Sequence, residues 1–453
     1  MDLILKNGTL ITASDTYTAD IGIEKGIIKQ IGWELGPATK IIDVSGLYLL
    51  PGAIDVHTHV DIEFQGCQSL EDFYSGTSAA ANGGVTTIID YVIPSEEQTL
   101  EEAVITWQQK ALNKAIIDYS FHVAVVEPTA TNIAQMKDVV AEGFPSFKIF
   151  MMGNFDRHAA DFMEVMAEAG RLSALVNVHA EDGACLCHLS QRFKKEGRHG
   201  AHHFAASRPQ ESEGIAAWRA VGMAQVADAP LYLVHLSCEE GVEAVNRASQ
   251  RGQIVYGETR PCYLLMSDEV LQGNNGALYT SWPPLRNAQQ VKAMWQHLNN
   301  HHLQVIATDH DGWSRQQKKQ RQDVGNMLAG MPHLDTYVSL LYSEGVRKGR
   351  IRWNRLVEVC STQPAKLFGL YPQKGTIAIG SDADIIVFDT RSERIIHADN
   401  LYSKSDFDPY EGWKVKGLPI MTFSRGELVM DKGRILAKPG RGQLIKRKRF
   451  SQL

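Results

Sequence analysis

The hydrophobic and polar positions of the chain change their rhythm once, near residue 52. In the first fifty residues apolar and polar positions alternate, as in LILKNGTLIT and KIIDVSGLYLL, with turn residues at Lys25-Gly26. A period of two is typical of strands with one buried face. From Ala53 onward short, nearly continuous apolar runs alternate with helical stretches, which indicates parallel strands joined by crossover helices. Pro51-Gly52 is therefore a predicted domain boundary.

Eight apolar runs follow this boundary and predict eight strands. They are AIDVH (53–57), TTIID (86–90), DYSFHVAVV (118–126), SFKIFM (146–151), ALVNVH (174–179), LYLVH (231–235), QIVYGE (253–258) and LQVIATD (303–309). Eight parallel strands with intervening helices are typical of the closed (β/α)₈ barrel of triosephosphate-isomerase type. The predicted fold class is therefore α/β, with a barrel as the main domain.

The alternating pattern returns towards the C-terminus. The segments GTIAIGSDADIIVFD (375–389) and RGELVMDKGRI combine period-two alternation with Gly and Asp turns. Both chain ends are thus predicted to be sheet, and they can pair into one small β-sandwich beside the barrel. The predicted division gives residues 1–51 and 372–440 to the sandwich, 52–371 to the barrel and 441–453 to a basic C-terminal tail.

Composition and charge narrow the function classes. The chain has 453 residues, of which 44% are hydrophobic and 22% charged, as in ordinary globular proteins. Its formal net charge of -6 provides no positive field for nucleic acid or an anionic membrane. The run Lys446-Arg447-Lys448-Arg449 is expected to be a solvated, poorly ordered end. Without a leader pattern or an apolar stretch of about 18 residues, we expect a cytoplasmic enzyme with no membrane partner.

The candidate chemistry lies where the predicted strands end, because barrel enzymes of this type carry their active site at that rim. The residues there are His57 and His59 on the first run, Lys148 in the fourth, His179 on the fifth, His235 on the sixth and Asp309 on the eighth. Any one of them could be structural. Together, neutral imidazoles and a carboxylate suit a Zn²⁺-like cation with positions left open for water.

Lys148 does not fit a metal site in its ordinary form, because an ammonium group has no lone pair and repels cations. Burial and nearby cations would lower its pKa from about 10.4, and the neutral amine could then take up CO₂ to form a carbamate. The carbamate is an anionic ligand with two oxygens. It could bridge two metal ions roughly 3.5–4 Å apart, the spacing of two-metal hydrolases.

Several motifs carry a resemblance to a known family. They are GAIDVHTHVD, SFKIFM, NVHAED, YLVHLS, the PPLR at 283–286, ATDH at 307–310 and STQPAKLFGLYPQKGTIAIGSDADIIVFD. With these motifs the chain resembles the dihydropyrimidinase and D-hydantoinase family of cyclic amidohydrolases. The resemblance runs from about residue 2 to GRGQLIKRKRF near the end.

The resemblance implies a binuclear zinc site. By similarity His57, His59 and Asp309 hold one metal, His179 and His235 hold the other, and carbamylated Lys148 bridges them together with a hydroxide. Metal binding lowers the pKa of water from about 15.7 to roughly 7, so the nucleophile is ready at neutral pH. Asp309 would take the proton during attack on the ring carbonyl and pass it to the leaving nitrogen. The product would be an N-carbamoyl amino acid, and the assembly a homotetramer.

The substrate residues depart from the family pattern, whereas the metal residues match it. Family members usually have a tyrosine five residues after the carbamylated lysine, where its hydroxyl donates to the developing oxyanion; this chain has Gly153. Trp282 replaces the serine before the double proline, and Ala329 aligns roughly with the asparagine of a Pro-Asn-Gly loop. Phe64 lies in a loop that shapes the family's substrate gate. We expect Gly153 to make room and Trp282 to supply an aromatic wall.

Two other functions stay open. An allantoinase or dihydroorotase would share the metal ligands and differ in the pocket, although no arginine follows His59 closely enough to hold the carboxylate of a dihydroorotase substrate. A non-catalytic scaffold like the collapsin response mediator proteins would resemble the family but lack metal ligands. All six ligand positions are filled here, which favours an enzyme.

Overall fold

The computed structural model describes residues 1–95, 97–152 and 159–451 of the chain. The strands in these ranges are β1 (Leu3–Ile11), β2 (Thr16–Glu24), β3 (Ile27–Gly32), β4 (Lys40–Asp43), β5 (Tyr48–Pro51), β6 (Ala53–His59), β7 (Glu63–Phe64), β8 (Cys67–Gln68), β9 (Val85–Val92), β10 (Asp118–Ala124), β11 (Ser146–Phe150), β12 (Leu175–His179), β13 (Leu231–Leu233), β14 (Val255–Thr259), β15 (Val305–Ile306), β16 (His310–Asp311), β17 (Ile385–Ile395), β18 (Lys414–Ser424), β19 (Glu427–Asp431) and β20 (Arg434–Ile435).

The helices connect most of the barrel strands. In the same ranges they are α1 (Phe73–Asn82), α2 (Leu100–Ala111), α3 (Ala130–Ala141), α4 (Ala159–Arg171), α5 (Gly183–Lys195), α6 (Ala201–Ala206), α7 (Gln210–Val226), α8 (Glu239–Gln250), α9 (Pro261–Leu265), α10 (Ala288–Asn299), α11 (Arg315–Lys319), α12 (Tyr337–Leu341), α13 (Trp353–Val357) and α14 (Gln363–Leu367). Shorter helical turns span Asp268–Gln272, Gly276–Tyr279, Leu334–Thr336, Tyr342–Val346, Glu358–Thr362 and Ala398–Asn400. Within the described ranges no helix is long and apolar enough to cross a bilayer.

The barrel forms from consecutive parallel strands. The sheet order is β15-β14-β13-β12-β11-β10-β9-β6-β16. Because β15 pairs with β14 and β16 pairs with β6, the short stretch 305–311 joins the two edges and closes the sheet. Every residue of β9 and β10 is buried, as expected when helices cover the outside and side chains fill the inside. The predicted barrel is confirmed.

Both chain ends contribute to a second sheet of nine strands. Its order is β20-β19-β18-β17-β5-β1-β2-β3, with β4 parallel to β1. The two ends of the chain meet where β17 runs antiparallel to β5 and Ile386 faces Leu50. The alternating apolar positions fill a core of their own that includes Leu5, Ile21 and Phe423. This confirms a separate strand-rich domain built from both termini, while its residue boundaries stay a prediction.

Four predicted strands end earlier than their apolar runs, and those of runs 118–126 and 146–151 end at Ala124 and Phe150. The run 231–235 is strand only over Leu231–Leu233, and the run 303–309 only over Val305–Ile306. The reason is local, since His235 and Asp309 have φ angles of 42° and 51° and so cannot continue a strand. Such angles are uncommon for residues with a β-carbon, although Asp and His adopt them more readily than most. Both residues belong to the set that sequence analysis assigned to metal binding.

The basic C-terminal run is only partly a solvated end: Lys446, Lys448 and Arg449 are exposed as expected, but Arg447 is buried, and at this residue the expectation is wrong. Leu444 lies beside Tyr119 of β10, and the Ile445 amide donates to the Tyr119 carbonyl at 2.7 Å. Arg447 is only 5% exposed and donates to Ser146 Oγ at 2.6 Å and to the carbonyl of Phe121. The chain therefore returns to the barrel strands after the second sheet. Charge alone predicted solvation, but hydrogen bonds to barrel residues hold Arg447 inside.

Candidate active site

One carboxylate lies between two imidazoles at the mouth of the barrel. His57 and His59 both point to the same side of the end of β6, as the strand period requires. Their Nε2 atoms lie 3.0 Å and 3.1 Å from Asp309 Oδ1. Ligand atoms of these three residues all lie within 4.8 Å of one another, a spacing that can hold a metal ion.

Two further imidazoles complete the ring of histidines. His179 ends β12 and His235 follows β13, and their ring centroids are 4.5 Å apart. The His235 ring is also 5.4 Å from that of His57. Buried atoms without a hydrogen-bond partner among the described residues include His59 Nδ1 and His235 Nδ1. Unpartnered buried nitrogens are costly unless a ligand binds them, so this donor set fits a divalent cation.

Lys148 projects into the same group from β11 and is 1% exposed. Its ammonium nitrogen lies 4.8 Å from the centroid of the Tyr91 ring and 5.2 Å from that of Phe150. Burial lowers the pKa of Lys148 to about 8, although the carboxylates of Asp309 and Glu258 act in the opposite direction. A neutral amine is thus accessible near neutral pH.

Most of the other residues are in charge states that favour cation binding; at His57 burial acts to lower the pKa, but the carboxylates of Asp309 and Glu258 raise it above its usual value. Burial lowers the pKa of His59 to about 4 and also lowers the pKa values of His179 and His235, so these imidazoles stay neutral. Burial would raise the pKa of Asp309, but the Arg260 guanidinium and the neighbouring imidazoles hold it well below its usual value. Neutral imidazole and ionised carboxylate are the forms that bind metals.

Supporting residues orient these side chains, and sequence analysis missed them. Glu258 Oε1 lies 2.7 Å from His57 Nδ1 and accepts a hydrogen bond from the backbone amide of His235 at 2.9 Å. Arg260 Nη1 lies 2.8 Å from Asp309 Oδ2. Such partners fix the tautomer and orientation of metal-binding groups. The run QIVYGE ends in Glu258, so inspecting every strand end would have found it, whereas Arg260 follows β14 without a distinguishing signal.

His179 has a comparable support on the opposite side of the site. Its Nε2 lies 2.8 Å from Glu181 Oε2, and Arg208 Nη2 lies 2.6 Å from the same oxygen. Although burial opposes it, Arg208 and His179 lower the pKa of Glu181 to about 2. An ionised Glu181 leaves the other nitrogen of His179 available towards the barrel mouth. Neither Glu181 nor Arg208 was singled out in the sequence.

A cavity of about 60 Å³ opens onto these groups. The predicted substrate residues Phe64, Trp282 and Ala329 all line it, together with the six predicted metal residues. Ile62, Ile93, Phe150, Asp311 and Gly330 complete the wall. The Phe64 and Trp282 rings meet edge to face, with centroids 5.3 Å apart. Gly153, the remaining predicted substrate residue, lies outside the described residues.

The fold and the six converging side chains fit a hydrolase of the barrel type whose site is suited to a metal ion, and the comparisons with known proteins agree on the hydrolase family. A sequence profile of the amidohydrolase family matches residues 48–429. The chain belongs to this family and, within it, to the hydantoinase and dihydropyrimidinase group. It is 40% identical to the D-hydantoinase of Geobacillus stearothermophilus, with 100% of this chain and 98% of that protein covered. It is 38% identical to the D-hydantoinase of Ralstonia pickettii, with both chains covered completely.

The solved structures extend the similarity to three dimensions. The dihydropyrimidinase from Brevibacillus agri NCHU1002 superposes with a TM-score of 0.97 at 39% identity, and the alignment covers 100% of both chains. The resemblance drawn from the motifs is thereby confirmed, as is the prediction of a hydrolase acting on cyclic amides.

Proposed function

We propose that the chain opens a cyclic amide or ureide ring of the hydantoin or dihydropyrimidine type by metal-assisted addition of water. The observation that carries the proposal is the convergence of His57, His59, Lys148, His179, His235 and Asp309 on one cavity at the barrel mouth. The names of the relatives support the substrate class. Neutral imidazoles and carboxylate oxygens support zinc as the metal.

The six ligand residues would form two adjoining metal sites. His57, His59 and Asp309 would hold the first ion, and His179 and His235 the second. Lys148 would join them as a carbamate, formed when its neutral amine adds to CO₂ and releases one proton. The burial of Lys148 and its lowered pKa support this step. When bound, the ions would lower the pKa of a water molecule and polarise the ring carbonyl.

Asp309 would move the proton. Its Oδ1 faces His57 and His59, while Oδ2 is held by Arg260 at 2.8 Å, so the carboxylate has a fixed orientation at the cavity. Asp309 would take the proton from the attacking water as the C–O bond forms. It would then deliver that proton to the ring nitrogen as the C–N bond breaks. Hydrolysis of a hydantoin in this way gives an N-carbamoyl amino acid.

The walls of the cavity favour a substrate with an apolar substituent. Ile62, Phe64, Ile93, Phe150 and Trp282 present hydrocarbon to the space above the ligands. An apolar substituent gains about 25 cal/mol for each Å² removed from water, whereas a polar ureido side chain would lose hydrogen bonds there. A substituted hydantoin therefore fits better than allantoin. We expect Gly153 and Ala329 to provide room for the substituent.

We further propose a cytoplasmic homotetramer with the two sheets as separate domains, divided as the sequence predicts. One face of α7 supports self-association, because Ile215 is 50% exposed and Val226 80% exposed, with Trp218 between them. Exposed apolar stripes of this kind commonly mark subunit interfaces. Sedimentation of the purified protein would give the subunit number directly, and a monomer would contradict the proposal.

Ring opening by the purified protein, supplied with zinc and bicarbonate, tests the function. The panel would contain dihydrouracil, 5-substituted hydantoins, allantoin and related cyclic imides. We expect turnover of apolar 5-substituted hydantoins above allantoin, and loss of turnover and of bound metal in Lys148→Ala. Lys292→Ala, a lysine outside the site, is the control and should keep both. No turnover with two metals bound would contradict the proposed substrate class, and no turnover without bound metal would favour the non-catalytic scaffold.

A further inference from the structure

Trp282 differs from the other buried indoles of the chain. Trp107 Nε1 donates to Asp90 at 3.1 Å, Trp295 Nε1 to the Leu264 carbonyl at 2.6 Å and Trp313 Nε1 to the Ala329 carbonyl at 2.9 Å. Trp282 Nε1 is also buried, but no described residue accepts a hydrogen bond from it. Buried indole N–H groups normally donate a hydrogen bond, so the lack of an acceptor among the described residues at Trp282 Nε1 needs an explanation.

The ring of Trp282 is held firmly by its neighbours. Phe64 contacts it edge to face at 79°, with the centroids 5.3 Å apart. The Arg208 guanidinium lies 5.0 Å from the ring centroid, and Glu181 fixes that guanidinium through two contacts of 3.1 Å and 2.6 Å. A donor on a fixed ring needs little reorganisation when a partner arrives, which is what preorganised sites require.

The residue before Trp282 contacts the group that holds the proposed proton carrier. Ser281 Oγ, one residue earlier, accepts a hydrogen bond from Arg260 Nη1, and the same nitrogen lies 2.8 Å from Asp309 Oδ2. One guanidinium therefore connects the segment that carries the indole with the proposed proton carrier. Trp282, Lys148 and Asp309 line one small cavity.

We propose that the indole N–H of Trp282 donates a hydrogen bond to the oxygen of the substrate carbonyl whose carbon is attacked by water. The inference rests on the proposed function. A cyclic amide offers its carbonyl oxygens as acceptors, and the oxygen of the attacked carbonyl gains negative charge as water bonds to its carbon and the tetrahedral centre forms. The hydrogen bond consequently strengthens between the bound substrate and the transition state, which raises kcat rather than tightening substrate binding alone.

Replacing Trp282 by phenylalanine tests this directly, because Trp282→Phe keeps an aromatic wall and removes the N–H group. We expect kcat to fall about 10²-fold, the usual effect of losing one oxyanion donor, with KM changed only a few-fold. Trp33→Phe, at a tryptophan that is 59% exposed in the terminal domain, is the matched control and should keep the wild-type kcat. Zinc content and the thermal unfolding midpoint verify that each variant is folded and loaded.

A second variant keeps the proposal testable if Trp282→Phe does not fold. Benzothienylalanine at position 282 preserves the bicyclic shape and replaces the N–H group by sulfur, so the same fall in kcat is expected. An unchanged kcat, or a rise in KM alone, would overturn the inference while the ring-opening activity of the wild type stands. A wild type that opens no ring of the panel would contradict the proposed function and this inference with it.

Discussion

At the scale of single residues, Gly330 and Asp311 meet at the cavity wall without space for another carbon atom. Gly330 has a φ of 109°, and a β-carbon added there would lie 2.2 Å from Asp311 Oδ2. Both the backbone conformation and the contact therefore require glycine. Asp311, two residues after Asp309, is itself buried, so its side chain has little room to move away from a β-carbon added at Gly330.

Gly330→Ala should consequently destabilise the protein and displace Asp311. Gly380→Ala is the matched control, since Gly380 has a φ of 95° but nothing within 4 Å of the added carbon. We expect the control to lose about 1 kcal/mol from backbone strain. The loss at Gly330 should exceed it by about 1–3 kcal/mol from overpacking. Urea unfolding measures both, and equal losses would show that the contact with Asp311 is easily relieved.

Site residues could be predicted from the sequence where they lie at the ends of predicted strands. His57, His59, His179 and Lys148 were identified in this way because their positions follow from a local apolar pattern and a known rim. The same reasoning could not identify Arg260, which contacts Asp309 across 49 positions of sequence. Contacts of that kind depend on how the strand ends are arranged around the barrel, and no local pattern encodes them.

At the scale of elements, the C-terminal segment acts as part of the barrel. Arg447 donates to Ser120 Oγ at 3.0 Å and to Ser146 Oγ at 2.6 Å, so its guanidinium joins β10 to β11. Burial lowers the pKa of Arg447 to about 9, and the neighbouring Tyr91 acts in the opposite direction. The hydrogen bonds explain why a charged residue is retained among apolar strands.

Arg447→Ala should therefore lower the free energy of unfolding by about 1–3 kcal/mol, because buried acceptors lose their donor. Arg449 lies two residues further along and is exposed, so Arg449→Ala should stay within about 0.5 kcal/mol of the wild type. Chemical denaturation followed by circular dichroism distinguishes the two. Equal effects would restore the interpretation of a solvated basic end.

At the scale of the whole molecule, a buried cluster of charges connects the two sheets. Lys374 Nζ lies 2.8 Å from Asp118 Oδ2 in β10 and 2.8 Å from Asp384 Oδ2 just before β17. Asp382 Oδ2 is 3.0 Å away, and Arg425 also contacts Asp118. Burial opposes the charge of Lys374, but the carboxylates raise its pKa above the ordinary value. The cation is thus matched by anions from both domains.

Removing that cation should be costly. Lys374→Met leaves buried carboxylates without compensation, and we expect the free energy of unfolding to fall by about 3–5 kcal/mol. Lys414→Met removes an exposed partner of Glu393, and its effect should stay below about 1 kcal/mol. Urea titration at neutral pH compares the two variants. A small effect at Lys374 would mean that the carboxylates take up protons or water at little cost.

The sequence by itself determined the fold class and the main site residues, since hydrophobic period and strand ends are local properties of the chain. Tertiary structure decided the partners of those residues. Glu258 reaches His57 across 201 positions, and Arg447 enters the barrel despite its charge. Whether a described residue accepts from the indole of Trp282 depends on how the loops fold around it, and none does. Such pairings depend on register and closure, which bring together residues that no local pattern connects.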